Sequence, residues 1–333
     1  MPSPTRASQD LRGAGAYLLA YFRPETDEGG EQIRFAVSGV DDPTSWQELN
    51  GGRAVLSNEL GEGGARDPFL VRDPRTGRFV IIATDLRIFP EQDWDRATRT
   101  GSRSIVVWES ENLVEWSPPA LVEVSPPEVG NTWAPKAFWS EPRNCWLVIW
   151  ASSVFPAEED RAAGRHQRLL AAPTDDFRSF GPTETYHDPG WTVIDASFVE
   201  HGGAWFRFSA SALSTTRSAD RGQHILMERG NALEDPDFRT VVEDIGWPEL
   251  RHAEGPAVFG DPDGGRWYLL IDENGYRGYQ LYSTDDLSSG RWRREESARL
   301  PDDARHGSVL PITVEERDRL LAALGEPASG DPV

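Results

Sequence analysis

A pattern that recurs five times along the 333-residue chain limits its possible folds more than length or composition does. A strand-like run leads to a polar turn with Asp or Asn and then to an aromatic residue. The closing aromatic residues are Trp46, Trp116, Phe180, Phe238 and Trp292, at intervals of 70, 64, 58 and 54 residues. Each interval is long enough for a unit of about four strands with its loops. The spacing favours a repetitive β-structure over a β-sandwich with irregular loops.

A second pattern lies between the copies of the first. An apolar strand turns at Gly, Asp, Pro or Asn and returns as an aromatic-rich strand, over 66–85, 133–152, 194–211 and 254–273. Such runs are hairpin signals. A fifth copy would combine residues 306–312 with the N-terminal runs 16–22 and 33–38. Because that pairing would remove two exposed edges, the sequence predicts an all-β, five-bladed β-propeller closed by its N-terminal strands.

The propeller is predicted to span residues 16–312, after a flexible N-terminal tail over 1–15. Residues 313–333 are predicted to form a short C-terminal helix and a tail. Thr313 and Glu316 have the spacing of a capping box, which marks the start of a helix. The apolar stripe of this helix would consist of Leu320, Leu321 and Leu324.

Charge and cysteine content exclude several classes of function. The formal net charge is −21, which disfavours binding to nucleic acid or to an anionic membrane surface. Cys145 is the only cysteine, so neither an intramolecular disulfide nor a thiolate metal cluster is possible. The chain has no apolar run long enough to span a membrane and no apolar signal segment near Met1. A cytoplasmic location is expected, while the oligomeric state stays open.

The innermost strand of a propeller blade runs along the central channel, so its first residues face the axis. The residues at these places are Asp67, Trp133, Asp195, Glu254 and His306. Three of the five are carboxylates from different blades, and crowding would raise the pKa of at least one of them. Inverting glycoside hydrolysis uses one carboxylic acid and one carboxylate that stand about 6.5 to 9.5 Å apart. The pattern therefore indicates a glycosidase.

The motifs resemble those of glycoside hydrolase family 43 and of the wider clan with families 32 and 62. The resemblance covers residues 17–312 and rests on five motifs in order: RDPF at 66–69, WAP at 133–135, ID at 194–195, EGP at 254–256 and RHGS at 305–308. It implies a five-bladed propeller that removes terminal sugars with inversion. The activity expected first is that of an α-L-arabinofuranosidase, followed by that of a β-xylosidase, on short pentose-containing oligosaccharides.

The resemblance also implies roles for the three carboxylates. Asp67 resembles the general base, Asp195 the carboxylate that adjusts the pKa of the acid and orients the substrate, and Glu254 the general acid. Other interpretations are an ion pair between Asp67 and Arg66 and a turn cap at Asp195. Two further carboxylates end return strands and would either line the pocket rim or cap turns, with turn capping favoured, namely Asp85 and Asp272.

Three further residues are candidates for substrate binding. Trp133 would form a wall on which a sugar ring packs. Lys136, the only lysine, departs from the acidic residue usual after WAP in related sequences, and would bind sugar hydroxyls or pair with a catalytic carboxylate. His306 would touch the substrate or a hydrated calcium ion on the axis, or else be a core histidine. No cofactor is expected to be required, and this axial calcium is the one ion considered.

Two other functions fit the same residues. A glycoside phosphorylase would need cations at a phosphate site, for which Lys136, Arg251 and Arg305 are the candidates. A non-catalytic sugar-binding propeller would have no reason to keep three axial carboxylates. Arg251 and its neighbour His252 are otherwise predicted to lie in a solvated loop.

Overall fold

A computed structural model describes residues 13–156, 161–212, 223–261 and 264–325. Within them the strands are, in chain order, β1 (Ala16–Phe22), β2 (Arg34–Gly39), β3 (Asp42–Glu48), β4 (Arg66–Arg72), β5 (Phe79–Thr84), β6 (Ser104–Ser110), β7 (Ala120–Glu123), β8 (Trp133–Ser140), β9 (Cys145–Ser153), β10 (Gln167–Thr174), β11 (Glu184–His187), β12 (Val193–His201), β13 (Ala204–Ser211), β14 (His224–Gly230), β15 (Arg239–Ile245), β16 (Glu254–Gly260), β17 (Trp267–Glu273), β18 (Gly278–Thr284), β19 (Arg293–Arg294) and β20 (Arg305–Ile312). The helices are α1 (Trp94–Arg99) and α2 (Val314–Leu324).

These strands form five antiparallel sheets of four strands each, which confirms the all-β five-bladed propeller for the described part of the chain. Blade 1 is β4 to β7, blade 2 is β8 to β11, blade 3 is β12 to β15, and blade 4 is β16 to β19. The closing blade has the order β20-β1-β2-β3. Each inner strand (β4, β8, β12, β16 and β20) contacts the inner strands of both neighbouring blades, so the five strands surround one axis.

The ring closes through the predicted pairing of the N-terminal and C-terminal strands. β1 pairs with β20 in antiparallel register, with Leu18 opposite Leu310 and Leu19 opposite Val309. All seven residues of β1 are buried, so the closing blade removes a wholly apolar strand from water. Both edges that an open array would expose are thereby covered.

Aromatic side chains fill the spaces between the blades. Phe138 of blade 2 lies 5.3 Å from Phe69 of blade 1 and 5.0 Å from Phe198 of blade 3, measured between ring centroids. Edge-to-face and tilted contacts of this kind add to the free energy gained by burying the rings. The inner strands are thus held at fixed positions around the axis.

Helix α2 follows the closing strand and has the predicted capping box. The Thr313 side chain accepts a hydrogen bond from the Glu316 backbone, and the Glu316 carboxylate accepts one from the Thr313 backbone. Leu320 is buried, with Leu321 and Leu324 packed beside it in the same apolar cluster. Glu316 also pairs with Arg72 of blade 1 at 2.7 Å, so α2 joins the closing blade to blade 1.

The division into residues 1–15, 16–312 and 313–333 stays a prediction, and residues 1–12 and 326–333 of its two tails lie outside the described residues. No helix in the described ranges is both long enough and apolar enough to cross a membrane.

Every inner strand is irregular at its start. The register shifts between Arg66 and Phe69 in β4, Trp133 and Lys136 in β8, Ile194 and Ser197 in β12, Glu254 and Ala257 in β16, and Arg305 and Ser308 in β20. At each bulge one residue has a left-handed backbone: Asp67 (φ 51°), Ala134 (φ 49°), Asp195 (φ 57°), Gly255 (φ 55°) and His306 (φ 36°). Bulges bend a strand and re-aim a side chain. The five blades therefore present one repeated irregularity to the axis.

Candidate active site

The predicted site residues occupy three different positions of this repeated bulge. Asp67, Asp195 and His306 are the left-handed residues themselves, whereas Trp133 and Glu254 precede the equivalent residue by one. The sequence pattern predicted that all five residues occupy equivalent positions. This is wrong for Trp133 and Glu254, which lie one residue earlier, because a bulge shifts the alternation of side chains along a strand. Lys136 is the first residue after its bulge.

His306 lies at the centre of four carboxylates. Its Nδ1 is 3.1 Å from Asp67 Oδ1 and 3.6 Å from Asp195 Oδ2. Its Nε2 is 3.1 Å from Asp272 Oδ2 and 3.6 Å from Glu254 Oε2. Burial disfavours the charged ring, but the charge of Asp195 and the contacts with the other three carboxylates raise the pKa of His306 well above its ordinary value. The ring is an imidazolium that holds the cluster together.

Gly255 explains how this ring can lie so close to blade 4. A Cβ atom at Gly255 would stand 2.5 Å from His306 Cδ2, so only glycine fits at this left-handed position. The hydroxyl of Tyr279 accepts a hydrogen bond from the Gly307 backbone and lies 3.2 Å from the Gly255 carbonyl oxygen. The bulges of blade 4 and the closing blade are therefore tied together beside the carboxylates.

Asp67 is ionised in this setting. Burial acts to raise its pKa, but the hydrogen bond and charge of His306, the charge of Arg66 and a hydrogen bond from Thr84 together lower it to about 2. Thr84 Oγ1 donates to Asp67 Oδ2 at 2.6 Å and accepts from the Ala134 backbone at 2.8 Å. Asp67 is thereby fixed between blades 1 and 2 as a carboxylate that is able to accept a proton.

Asp195 and Glu254 are close neighbours with different proton affinities. Burial, with the charges of Asp67 and Glu254, raises the pKa of Asp195 to about 6, although His306 acts in the opposite direction. Burial also disfavours the ionised form of Glu254, but His306, His252 and Arg305 lower its pKa below the ordinary value. Asp195 therefore keeps its proton to a higher pH than Glu254 does, up to about pH 6, and it also accepts a hydrogen bond from the Gly255 backbone at 3.1 Å.

Asp272 and Arg305 are part of the cluster although the sequence analysis did not place them there. Asp272 is fully buried and lies opposite Glu254 in the β16–β17 register, so the prediction that it caps a turn is wrong. Arg305 donates through Nε to Asp272 Oδ2 at 2.7 Å. The role of Asp272 could have been recognised from its position, because it is an acidic residue on an apolar strand that pairs with the strand of Glu254. Asp85 does cap a turn, since it accepts from the Glu62 backbone at 2.9 Å.

Arg66 belongs to the rim of the site and is not the ion-pair partner of Asp67. Its guanidinium is 2.9 Å from Glu31 Oε1 and 3.2 Å from Glu25 Oε2. Glu31 is buried and accepts hydrogen bonds from the backbones of Ile88 and Phe89, at 2.8 and 2.9 Å. This network fixes the β1–β2 connection, which carries both glutamates, over the β5–β6 connection at the mouth of the channel.

Trp133 is half-buried at the edge of the cluster, as a wall of a sugar pocket would be. Its ring meets that of Trp94 edge-on, with centroids 6.2 Å apart. The guanidinium of Arg66 lies over the other ring, 5.0 Å from the Trp94 centroid. These contacts hold the Trp133 indole in one orientation.

Lys136 is buried in the channel. Its Nζ lies 5.3 Å from the centroid of the Phe69 ring. Within the described ranges no hydrogen bond or ion pair reaches this nitrogen, and the opposite charges that act on it are those of Asp67 and Asp195. Burial lowers the pKa of Lys136 and the two carboxylates counteract that effect. The structure therefore places a single ammonium group against the carboxylate cluster without a direct partner.

The cluster does not fit a calcium ion held through His306. Calcium takes oxygen ligands, which four carboxylates would supply. Both ring nitrogens of His306, however, already face carboxylate oxygens, so a cation stands where the ion would be. In the described ranges no group of three or more His, Cys, Asp or Glu side chains is arranged to hold a metal.

An ionised carboxylate, Asp67, and a carboxyl group that is protonated below about pH 6, Asp195, therefore lie in one nearly buried cluster. Asp67, Asp195 and Glu254 each expose less than a tenth of their surface. Such a pair is able to take a proton from water on one side of a bond and to give a proton to a leaving oxygen on the other.

Comparisons with known proteins agree with this chemistry. A family model described as "Probable glycosyl hydrolase domain" and related to glycosyl hydrolase family 43 matches residues 13–318. An α-L-arabinofuranosidase of Bifidobacterium longum is 27% identical over 319 residues, an alignment that covers 86% of this chain and 29% of that protein. The chain thus spans less than a third of the length of this curated relative.

Solved structures show that the fold is shared. A mutant α-L-arabinofuranosidase of Fusarium graminearum, in complex with an iminosugar inhibitor, has a TM-score of 0.57 and 15% identity, with 92% of this chain and 86% of that chain covered. An exo-1,5-α-L-arabinanase from a bovine ruminal metagenomic library has a TM-score of 0.56 and 13% identity, with 85% and 93% covered.

Proposed function

Because the chain belongs to the family of glycosyl hydrolase domains related to family 43, and is therefore a glycoside hydrolase, we propose that it is an exo-acting α-L-arabinofuranosidase that inverts configuration. The observation that carries the proposal is the meeting of Asp67, Asp195 and Glu254, from three different blades, around His306. The choice of sugar is supported by the curated relative, which is an α-L-arabinofuranosidase.

Asp67 is the proposed general base. Its low pKa keeps it ionised, and its hydrogen bonds with His306 and Thr84 fix its orientation. It takes a proton from a water molecule while the water oxygen bonds to the anomeric carbon of the terminal sugar. Because the water attacks on the face opposite the leaving group, the released sugar has inverted configuration.

Glu254 is the proposed general acid, with Asp195 as the carboxyl group that supplies and adjusts its proton. The bond between the anomeric carbon and the leaving oxygen breaks as that oxygen receives the proton from Glu254. In the free site Asp195 binds a proton more readily than Glu254 does, so this assignment requires proton sharing between the two groups once a sugar covers them. Exclusion of water by the sugar favours protonated Glu254, because burial disfavours its charged form.

The position of His306 supports a wide separation between the carboxyl groups of Asp67 and Glu254, as inverting enzymes require. Asp67 faces Nδ1 of the ring and Glu254 faces Nε2, so an imidazole ring stands between the base and the acid. Retaining enzymes bring their two carboxyl groups to about 5 to 5.5 Å so that one attacks the sugar directly. A water molecule as nucleophile needs the additional space.

Trp133 and Lys136 are the proposed sugar-binding residues. The half-buried indole of Trp133 offers a face for the C–H groups of a sugar ring. Lys136 has an ammonium group with no hydrogen-bond acceptor among the described residues, and a sugar hydroxyl is a neutral acceptor of suitable size. His306 contributes to binding only through the carboxylates that it holds.

The restricted exposure of the three carboxylates favours removal of one terminal sugar over cleavage within a chain. The preferred substrates are short pentose-containing oligosaccharides, and a cytoplasmic location stays part of the proposal. A β-xylosidase is the second candidate, because a terminal xylose would present a similarly small ring to the same residues.

Hydrolysis is favoured over phosphorolysis because Arg305 and Lys136 both lie against carboxylates. Arg305 is engaged by Asp272 at 2.7 Å and lies within 4 Å of Glu25 and Glu254. Lys136 is buried beside Asp67 and Asp195, whose charge would repel a phosphate. Neither cation is therefore available for a phosphate near the reacting carbon.

The function is tested by a turnover screen of the purified protein on 4-nitrophenyl α-L-arabinofuranoside, β-D-xyloside and β-D-galactoside, with Asp67→Asn alongside. We expect hydrolysis of the arabinofuranoside, loss of it in the variant, and no dependence on phosphate. An NMR spectrum of the first-formed product should show the inverted anomer. Silence on all three glycosides together with unchanged sugar binding by Glu254→Gln would instead indicate a binding propeller.

A further inference from the structure

Two connections flank Glu254, and both expose large aromatic side chains. The first runs from the end of β15 to the start of β16 and carries Trp247, which is 39% exposed. The second joins β17 to β18 and carries Tyr276, which is 58% exposed. Both rings therefore present an aromatic surface to water on connections that lie beside a buried acid.

Direct contacts join these connections to the acid. Asn274, two residues before Tyr276, donates a hydrogen bond to Glu254 Oε2 at 2.9 Å. His252, five residues after Trp247, places its Nε2 3.4 Å from Glu254 Oε1. Both oxygens of the carboxyl group are thus oriented by residues that lie next to the exposed rings.

The two connections are also tied to each other, so the rings stand on a fixed support. Glu273 is buried and accepts a hydrogen bond from the Arg251 backbone at 3.0 Å. Arg277 pairs with the same carboxylate and donates to the Glu249 carbonyl oxygen at 3.1 Å. The Arg251 guanidinium lies 5.3 Å from the Tyr276 ring centroid. A ring held in this way loses little conformational entropy when a ligand packs on it.

We propose that Tyr276 and Trp247 form the binding site for the leaving group of the reaction, and that this group is a neutral sugar residue packed on the tyrosine ring. The inference rests on the proposed function, in which Glu254 protonates the leaving oxygen. Whatever is attached to that oxygen must lie within reach of Glu254, and the exposed side chains on that side of the acid include two large aromatic rings.

The chemistry of the surroundings selects a neutral sugar. The C–H faces of sugar rings pack on aromatic rings, while their hydroxyl groups accept hydrogen bonds from donors such as Arg251 and His252. Arg277 is already paired with Glu273 on the second connection, and Glu249 adds a negative charge to the first. Both connections carry or adjoin positive and negative side chains. A strongly charged leaving group of either sign would therefore be repelled by at least one of them.

The exposed ring of Trp94 provides a matched control. It is 39% exposed, as Trp247 is, but it lies on blade 1, whose inner strand carries Asp67. In an inverting reaction the attacking water and its base are on the side opposite the leaving group. Replacement of Trp94 is therefore expected to leave the preference of the enzyme between two leaving groups unchanged.

The test compares two substrates with the same terminal sugar and alcohol leaving groups of different size: α-1,5-linked arabinobiose and methyl α-L-arabinofuranoside. The quantity measured is the ratio of kcat/KM for the disaccharide to kcat/KM for the methyl glycoside. Tyr276→Ala should lower this ratio about tenfold, the effect of one lost aromatic contact. Tyr276→Phe keeps the ring and should keep the ratio, as should Trp94→Ala.

A ratio that stays unchanged in both Tyr276→Ala and Trp247→Ala would overturn the assignment, as would a fall caused by Trp94→Ala alone. Kinetics on the methyl glycoside report whether each variant has folded and kept its catalytic groups. If the unmodified protein cleaves neither substrate nor the corresponding pair of xylosides, the proposed function itself fails, and the leaving-group site with it.

Discussion

His306 Nδ1 and Asp67 Oδ1 lie 3.1 Å apart although 239 residues separate them in the chain. The contact joins the last strand of the propeller to the first complete blade. Since the same imidazole also faces Asp195, Glu254 and Asp272, the charge that keeps Asp67 ionised also determines how the other carboxylates share a proton. Folding and catalytic competence thus depend on one cation.

Replacing His306 by glutamine should lower the free energy of unfolding by about 3 kcal/mol, because four buried carboxylates lose their common cation. The pKa of His306 is raised in the folded protein, so its contribution is complete below about pH 6.5 and is lost as pH rises through the folded-state pKa. Urea unfolding of both proteins at pH 6 and pH 9 should therefore show the larger difference at pH 6. An equal difference at both values would contradict the imidazolium.

Glu254→Ala should affect poor leaving groups more than good ones. An alkyl or sugar leaving group needs its oxygen protonated, so kcat/KM on arabinobiose should fall by about a hundredfold or more. An activated 4-nitrophenyl glycoside leaves without that help and should lose much less. Equal losses on both substrates would remove Glu254 from the role of acid, and the same comparison for Asp195→Asn would show whether that carboxyl group is the acid instead.

The activity should fall as pH rises through about 6. The pKa of Asp195 is about 6, and the proton required by the leaving oxygen is shared between Asp195 and Glu254, so the free enzyme loses it above that pH. Asp67, with a pKa of about 2, remains ionised near pH 6 and therefore causes no change of activity there. The profile of kcat/KM against pH on arabinobiose checks this, and the descending limb near pH 6 should move or disappear in Asp195→Asn.

Lys136→Met should stabilise the folded protein and weaken its binding of the sugar. Methionine fills a similar volume beside Phe69 without a buried charge, so the free energy of unfolding should rise by about 1 kcal/mol. Loss of a donor to the sugar should raise KM. Urea unfolding and steady-state kinetics test the two effects separately, and Lys136→Gln is the comparison that keeps a hydrogen-bond donor. A loss of both stability and activity would indicate a structural lysine.

The sequence was sufficient to predict the ring and its closure, because apolar alternation and turn residues at hairpin ends follow from local chemistry. The capping box at Thr313 and Glu316 was recognisable for the same reason. Burial of Asp67, Asp195 and Glu254 on one axis followed from their place at the start of inner strands.

The bulges were not predictable in this way. A left-handed residue in a strand leaves no fixed signal, and here the position is filled by Asp, Ala, Gly and His in different blades, as at Asp67, Ala134, Gly255 and His306. Asp272 was missed because its role depends on the register between β16 and β17, which pairs it with Glu254. The order of the carboxylate pKa values was also inaccessible, since it depends on distances of 3 to 4 Å across the axis.

The pairing of β1 with β20 has a consequence for how the protein is made. During translation the apolar strand Ala16–Phe22 emerges before the four complete blades, whereas its partner Arg305–Ile312 emerges only after them. At ordinary ribosomal rates that interval is tens of seconds, during which one side of β1 lacks its hydrogen-bonding neighbour. The closing blade is therefore completed last, and it brings the His306 imidazolium to the four carboxylates only when the other four blades have been synthesised.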